Sequence, residues 1–122
     1  MSTKKSGTSK DIKSEHYFQR VYDITCLIPY GRVSTYGAIA DFLALGSARM
    51  VGWALNHCHS ADTIIPAHRV VNRKGELSGR LHFATPELMK ERLESEGISI
   101  SEDDKVVKME ELFWHPRELE NY

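Results

Sequence analysis

Two helical patterns joined by a short glycine-containing turn constrain the fold of this chain more than any other feature. Apolar residues recur at helical spacing on both sides of Gly46 in VSTYGAIADFLALGSARMVGWALNHCH, residues 33–59. Ser34 is a candidate N-cap for the first helix and Ser47 for the second. The pattern predicts a helix-turn-helix with Arg49 projecting from the first turn of the second helix. A helical hairpin packed into a core has the same pattern, so these residues alone leave DNA binding open.

Two further helices are predicted on either side of this unit. The first has Ser14 as its N-cap and ends before the turn PYGR, and its apolar spacing places Cys26 on the buried face. The last has Thr85 as its N-cap and Pro86 in its first turn, and Gly97 ends it.

The segment between them, IIPAHRVVNRKGELSGR at residues 64–80, has the pattern of a small β-hairpin. Pro66 interrupts an extended apolar run, and Lys74 and Gly75 supply a turn. Another short strand is predicted at residues 106–108. Together the elements predict a mostly α fold, a winged helix-turn-helix domain with a small β-hairpin as its wing.

Length and composition divide the chain into a tail and one domain. A chain of 122 residues is sufficient for a single modest core. The composition of residues 1–13, MSTKKSGTSKDIK, predicts a disordered basic tail. Residues 14–122 are expected to form the single domain. Neither a secretory signal nor an apolar run of about 18 residues is evident. We therefore expect a protein that is not secreted or bound to a membrane. We also expect a monomer, located in the cytoplasm or nucleoid if bacterial and in the nucleus if eukaryotic. Its two cysteines are expected to be free thiols.

The net charge of −1 conceals an uneven distribution. Residues 30–82 contain six Lys or Arg and three acidic residues, a net charge of +3. Residues 83–122 contain five Lys or Arg and eleven acidic residues, a net charge of −6. A basic middle segment suffices for phosphate contacts, although solvated protein faces often have a similar excess.

Two groups of residues offer candidate chemistry. In NHCH, two histidines two positions apart at a helix end point in different directions, which argues against zinc. In PAHR, Ala67 stands where a nucleophile would be expected, next to His68. A pair of His68 with Glu96 would orient the imidazole, and a pair of Cys58 with His68 would be catalytic. The residues alone support neither pair over unrelated surface groups.

Four segments carry a family resemblance. IPYGRVSTYGAIA, ARMVGWALN, IPAHRVVN and SEGI resemble, in this order and spacing, the C-terminal domain of the O6-alkylguanine-DNA alkyltransferases. The resemblance runs from about Tyr17 to Trp114. In the enzymes the third segment reads Pro-Cys-His-Arg-Val, and its cysteine accepts the alkyl group from damaged guanine. Because Ala67 replaces that cysteine, the chain is most similar to the alkyltransferase-like proteins, non-enzymatic relatives that most often have tryptophan there.

The resemblance implies a minor-groove DNA-binding surface that flips the alkylated base into a pocket. Tyr36 resembles the tyrosine that presses on the phosphate of the flipped nucleotide, and Arg49 resembles the arginine that fills the vacated stack. The small residues of the second helix would let its backbone approach the groove closely. The expected DNA-binding residues are Ser34, Thr35, Tyr36, Ala48, Arg49 and Gly52.

The resemblance also implies a lesion pocket without a catalytic residue. Arg80 matches an arginine that faces the guanine O6, and Trp114 resembles an aromatic residue of the loop that closes over the base. Glu96 matches the glutamate that activates the cysteine through histidine, so His68 and Glu96 would be a vestigial relay. The expected pocket residues are Pro66, Ala67, His68, Arg69, Val70, Arg80 and Trp114.

The function implied is binding of O6-alkylguanine in duplex DNA, without repair, to flag it for nucleotide excision repair. The implied partners are excision-repair damage-recognition proteins, and no cofactor or metal is expected. Because alanine is smaller than tryptophan, we also expect tolerance of larger O6 adducts. The alternatives are an alkyltransferase or hydrolase that uses Cys58 or a water held by His68, and a transcription regulator whose Arg49 reads the major groove.

Overall fold

The computed structural model describes residues 17–58 and 64–121. The predicted tail at 1–13 and the Ser14 cap lie outside the described residues. The helices are α1 (residues 17–26 within the described part), α2 (Tyr36–Phe42), α3 (Ala48–His57), α4 (Leu88–Ser95) and α5 (Met109–Leu112). Short 3₁₀ helices comprise Ala67–Arg69, Arg80–His82 and Pro116–Asn121, and the strands are β1 (Ser34–Thr35) and β2 (Val70–Val71). The prediction of a mostly α fold with a helix-turn-helix is confirmed.

Helix α1 packs one face into the core. Val21, Ile24 and Ile28 are buried and belong to the same hydrophobic cluster as residues from α2, α3 and α4. The prediction that Cys26 lies on this face is wrong, because its side chain is exposed. Successive residues of a helix are about 100° apart, so position 26 turns away from the stripe that the buried positions 21, 24 and 25 define.

The N-cap of helix α2 lies one residue later than predicted. The Thr35 hydroxyl, rather than that of Ser34, accepts the hydrogen bond from the Ala38 backbone N–H, at 3.0 Å. Ser34 cannot serve as the cap, since it lies within β1 and is completely buried. Ser47 does occupy the N-cap position of α3, but its side chain makes no capping hydrogen bond.

The turn between α2 and α3 reverses at an alanine. Ala44 adopts the left-handed conformation, with φ of 57°, and the Leu45 N–H bonds the Ala40 carbonyl at 2.9 Å. This is the hydrogen bond that ends a helix in a Schellman motif. The prediction assigned the break to Gly46, which follows the reversal and contributes only to the loop leading to Ser47.

The two-stranded sheet is parallel, and along the chain its strands lie on either side of the helix-turn-helix. Ser34 lies opposite Val70 and Thr35 opposite Val71. The predicted hairpin wing is therefore wrong in its pairing, although the turn is present: Gly75 has φ of 81° and its N–H bonds the Asn72 carbonyl. One backbone bond crosses the turn, from the Asn72 N–H to the Glu76 carbonyl, and the chain beyond it bonds to residues 104 and 105. The pairing places the PAHR segment, which precedes β2, beside the residues that precede β1.

The predicted strand at residues 106–108 is reduced to a single bridge, between Ile100 and Val106. The backbone leaves the extended conformation at Lys108, which has φ of 62° directly before α5. No continuous strand is possible through that residue.

Helix α4 ends as predicted but begins later. Thr85 and Pro86 form a turn in which the Thr85 carbonyl accepts from the Leu88 N–H, and Glu87 occupies the N-cap position. Gly97 has φ of 85° beyond the last turn, and the Ile98 N–H bonds back to the Leu93 carbonyl at 3.1 Å. Only a residue that tolerates positive φ allows this return, which explains the glycine.

None of the helices in the described part of the chain combines the length and apolar character needed to cross a membrane.

Candidate nucleic-acid interface

A cavity of about 430 Å³ opens between α3, the start of α2 and the segment 78–82. It brings together four of the six expected DNA-binding residues. The lining residues are Tyr36, Ala48, Arg49, Gly52, Trp53, Asn56, Ser78, Gly79 and His82. We refer to this cavity as the α3 cavity.

Helix α3 supplies the cavity wall because its amphipathic pattern has two distinct faces. Val51, Ala54 and Leu55 are buried in the core, which directs Arg49 and Trp53 outward. A Cβ placed at Gly52 would meet nothing within 4 Å, so the glycine leaves open space on the cavity side. A helix with one cation and small residues on its exposed face is suited to close approach by a phosphate backbone.

Tyr36 lies at the opposite wall and is held by the segment that follows β2. Its phenol forms a hydrogen bond with Ser78, and a Cβ at Gly79 would come within 2.7 Å of its oxygen. Gly79 therefore permits a close approach that a larger residue would prevent unless the ring moved. Burial raises the pKa of Tyr36, opposed by the Ser78 bond, so the hydroxyl is neutral at physiological pH and available as a donor.

The expected lesion-pocket residues do not form one open surface. Pro66, His68 and Arg69 line a different cavity, of about 500 Å³. Ala67 is 6% exposed, and Val70 is completely buried in β2. The assignment of Val70 to the pocket is wrong in this structure, because its side chain packs into the core. Ala67 is recessed and close to a cavity rather than a wall of it.

The predicted pairing of His68 with Glu96 is present, at 2.6 Å between Nε2 and Oε2. A carboxylate only accepts hydrogen bonds, so Nε2 donates and the neutral imidazole has its free lone pair on Nδ1. That Nδ1 is buried and has no hydrogen-bond partner within the described residues. Burial lowers the pKa of His68, and the bond to Glu96 opposes this only in part.

Glu96 is the centre of a hydrogen-bonded network, here called the Glu96 network: Gly31, His68, Arg69 and Glu96. Besides His68, its carboxylate accepts from the Gly31 N–H at 2.8 Å and from Arg69 Nε at 3.0 Å. Burial favours a higher pKa for Glu96, but the bonds from Arg69, Gly31 and His68 outweigh it and hold the pKa below its ordinary value. Glu96 is therefore ionised and fixed in place.

Arg69 belongs to this network, and its place in a lesion pocket remains a prediction. Its guanidinium also donates to the Ile28 carbonyl at 3.0 Å and lies over the Tyr30 ring, 5.7 Å from its centre. With these partners the cation is already neutralised, although part of the side chain lines the second cavity.

Two expected DNA contacts are internal. The Ser34 side chain is 0% exposed and its Oγ has no partner in the described part of the chain. The Thr35 hydroxyl is occupied by the α2 cap. Both residues hold α2 in position through the β1–β2 pairing, and Thr35 lines a separate cavity of about 420 Å³ rather than the α3 cavity.

The two remaining pocket residues differ in their outcome. Trp114 is 1% exposed and its backbone N–H donates to the Val33 carbonyl at 2.7 Å, so the expectation that it closes over a base is wrong in this structure. It is a core residue. Arg80 is half-exposed, donates to the Leu77 carbonyl and lies directly beside Gly79 of the α3 cavity. Its predicted role remains a prediction.

The sequence reasoning missed several cavity residues. Trp53 and Asn56 share the exposed face of α3 with Arg49, and their spacing of four and seven residues is a helical signal that identifies them. Ser78 and His82 carry no such signal, because the segment that contains them has no regular period. Their position depends on the turn after β2.

Comparison with known proteins places these features in context. The family model for 6-O-methylguanine DNA methyltransferase, DNA binding domain, matches residues 16–98. Alkyltransferase-like protein 1 of Schizosaccharomyces pombe is 40% identical over 109 residues, which are 86% of this chain and 100% of that protein. Its crystal structure in complex with damaged DNA containing O6-carboxymethylguanine aligns with a TM-score of 0.73 and 39% identity, covering 84% of this chain and 97% of the other.

Two other relatives differ in the extent of the match. The DNA base-flipping protein of Vibrio parahaemolyticus is 34% identical over 103 residues, covering 84% of this chain and 99% of that protein. The methylated-DNA–protein-cysteine methyltransferase of Mycobacterium tuberculosis is 43% identical over 70 residues, covering 57% of this chain and 42% of the enzyme. The family model itself includes α2, α3, the PAHR segment and α4.

Proposed function

Because the chain belongs to the alkyltransferase-like proteins of the 6-O-methylguanine DNA methyltransferase family, we propose that it recognises O6-alkylguanine in duplex DNA without repairing it. It binds the minor groove through α3, flips the damaged base and retains the alkyl group on the guanine. One observation carries the proposal: Arg49 and Tyr36 line a single cavity, while Ala67 stands at the family's nucleophile position.

The α3 cavity has the groups that base flipping requires. Extruding a base costs a few kcal/mol, less where an alkyl group has already weakened the pairing. Arg49 projects from the first turn of α3 and offsets that cost by occupying the vacated stack. The neutral Tyr36 hydroxyl donates to the phosphate of the rotated nucleotide, and exchanges its Ser78 bond to do so.

Alkyl transfer has no competent nucleophile in the described part of this chain. A methyl side chain at position 67 cannot attack carbon. Cys58 is buried, and burial raises the pKa of its thiol, which keeps it protonated. Cys26 is exposed, but partial desolvation and the nearby Asp23 raise the pKa of its thiol, and it lines the second cavity rather than the α3 cavity.

A protein that holds a lesion without removing it acts by marking it. We propose that the complex recruits nucleotide excision repair in the compartment that contains the DNA. Incision of an O6-methylguanine duplex by reconstituted excision-repair proteins should then rise when this protein is added. An unchanged or lower incision rate would contradict recruitment while leaving lesion binding intact.

The size of residue 67 should set the range of adducts. Alanine leaves more volume than the tryptophan common among alkyltransferase-like proteins, so affinity should be maintained from O6-methyl to O6-butyl and O6-benzyl guanine. Ala67→Trp, checked for folding by thermal denaturation, should favour the methyl group. A steady loss of wild-type affinity with adduct size contradicts this assignment.

The decisive test measures binding and chemistry together. Matched duplexes with guanine or O6-methylguanine are titrated at a fixed salt concentration, since phosphate contacts make affinity depend on salt. Loss of the adduct is monitored by nucleoside analysis of the DNA and by mass measurement of the protein. Lesion-dependent binding with an intact adduct is the expected result. A methyl group on the protein or in solution would indicate an enzyme, and sequence-dependent binding that ignores the lesion would indicate a regulator.

A further inference from the structure

A tryptophan on the outer face of α3 has no role in the site described so far. Trp53 is 54% exposed. Single exposed apolar residues are common on proteins, so exposure alone says little. Trp53, however, also lines the α3 cavity and lies one turn after Arg49 on the same helix.

The surroundings of Trp53 favour a nucleic-acid contact. No acidic side chain is among the described residues that line the α3 cavity, and its wall includes Arg49 and His82. Gly52, directly before Trp53, leaves open space beside the helix. A large planar ring therefore projects from a helix that a DNA backbone can approach closely without meeting a like charge.

The spacing along α3 indicates which part of the DNA the ring reaches. Side chains four residues apart on a helix have Cβ atoms about 6 Å apart. Nucleotides along one strand are separated by about 3.4 Å. If Arg49 fills the position of the flipped base, the Trp53 ring lies at a nucleotide one or two steps away, and not at the lesion.

We propose that Trp53 is a second DNA-binding side chain of α3, whose indole packs on a nucleotide adjacent to the flipped one. This inference rests on the function proposed above and extends it. Aromatic rings pack on bases and sugars of any sequence, since every base has an apolar face. Trp53 thus strengthens the complex and is indifferent to the alkyl group that the lesion carries.

The chain offers a direct optical test because it has two tryptophans in different environments. Trp114 is 1% exposed, whereas Trp53 is open to solvent. Acrylamide should quench the Trp53 emission of the free protein, and saturation with an O6-methylguanine duplex should protect it. Trp53→Phe should remove the quenchable component. Emission that is equally quenchable with and without DNA would overturn the proposal.

Affinity measurements on variants provide the second test. Trp53→Ala should weaken binding of the O6-methylguanine duplex about 5- to 150-fold, the range found for loss of one aromatic contact with a base. Trp53→Phe should retain most of the affinity. Leu27→Ala is the matched control, since Leu27 is 50% exposed and lies outside the α3 cavity. Thermal unfolding checks that all three variants fold.

Two comparisons separate this inference from the function on which it rests. Equal wild-type binding of guanine and O6-methylguanine duplexes would contradict the proposed function itself. Lesion-selective wild-type binding that Trp53→Ala leaves unchanged would contradict only the role of Trp53. The ratio of affinities for O6-methyl and O6-butyl guanine should be the same in Trp53→Ala and wild type, and a changed ratio would also overturn contact with a neighbouring nucleotide.

Discussion

Two arginines show how differently the two ends of this site are constructed. Arg49 lies on the exposed first turn of α3 and makes no ion pair within the described part of the chain. Arg69 is bonded to Glu96 and the Ile28 carbonyl and lies over Tyr30. An unpaired surface cation is available to an external anion, whereas a largely buried cation that is bonded through all three guanidinium nitrogens stabilises the fold. We therefore expect the α3 cavity to be a binding surface and the Glu96 network to stabilise the fold.

Glu96→Ala should have the largest effect, and on stability rather than binding. Its carboxylate is 5% exposed and accepts from three residues in two segments of the chain, so its loss leaves the largely buried Arg69 cation without its ion-pair partner. Removing one partner of a buried ion pair costs about 3–5 kcal/mol. Chemical denaturation measures the free energy of unfolding.

Glu94→Ala is the control for that variant, because Glu94 is an exposed carboxylate in the same turn of α4. It should change the free energy of unfolding by less than about 0.5 kcal/mol. If the two variants are equally stable, the Glu96 network does not support the fold, and the contrast between the two arginines is lost.

Arg49→Ala should have the converse effect. The flipped state loses the side chain that fills the stack, and a loss of roughly 3 kcal/mol weakens lesion binding by about 100-fold. Thermal stability should remain near that of wild type, because Arg49 has no internal partner in the described residues. Fluorescence anisotropy with an O6-methylguanine duplex measures the affinity.

Lys90→Ala controls for the loss of one positive charge, since Lys90 lies on α4, outside the α3 cavity. It should change affinity by only a small, salt-dependent factor. Wild-type affinity in Arg49→Ala would show that Arg49 is not the side chain that replaces the base.

Tyr36→Phe should produce a smaller loss of binding. The variant keeps the ring and removes only the hydroxyl that is expected to reach the phosphate. One hydrogen bond to a charged group is worth at least about 1.5 kcal/mol, and the hydroxyl gives up its Ser78 bond to make it, so affinity for lesion DNA should fall about 10-fold. Tyr30→Phe is the control, because Tyr30 is an exposed tyrosine whose hydroxyl bonds the Ser95 carbonyl outside the α3 cavity. Equal affinities for the two variants would remove Tyr36 from the interface.

Residue patterns were sufficient for the helices but not for what lies between them. The apolar period located α2, α3 and the end of α4 at Gly97, because burial of one helix face has a local signature. The parallel pairing of Ser34 with Val70 has no local signature, since the whole helix-turn-helix separates the two strands. That pairing buried Val70, and a bond to Val33 placed Trp114 in the core. The family resemblance predicted the pair of His68 and Glu96 correctly, because a resemblance carries long-range information that residue spacing lacks.

The Glu96 network, and not the α3 cavity, should make the free energy of unfolding sensitive to mild acid. Burial lowers the pKa of His68 below its unfolded value of about 6.5, so the unfolded chain binds a proton more readily than the folded one. Stability is therefore complete above that value and falls as the pH decreases through it. The depressed pKa of Glu96 adds a second loss below about 4.5, the ordinary value for glutamate. Unfolding free energies measured from pH 8 to pH 5 should decline in wild type and stay level in His68→Gln. His82→Gln, which alters a histidine of the α3 cavity, should keep the wild-type decline. A decline that persists in His68→Gln and disappears in His82→Gln would reverse the assignment of supporting and binding regions.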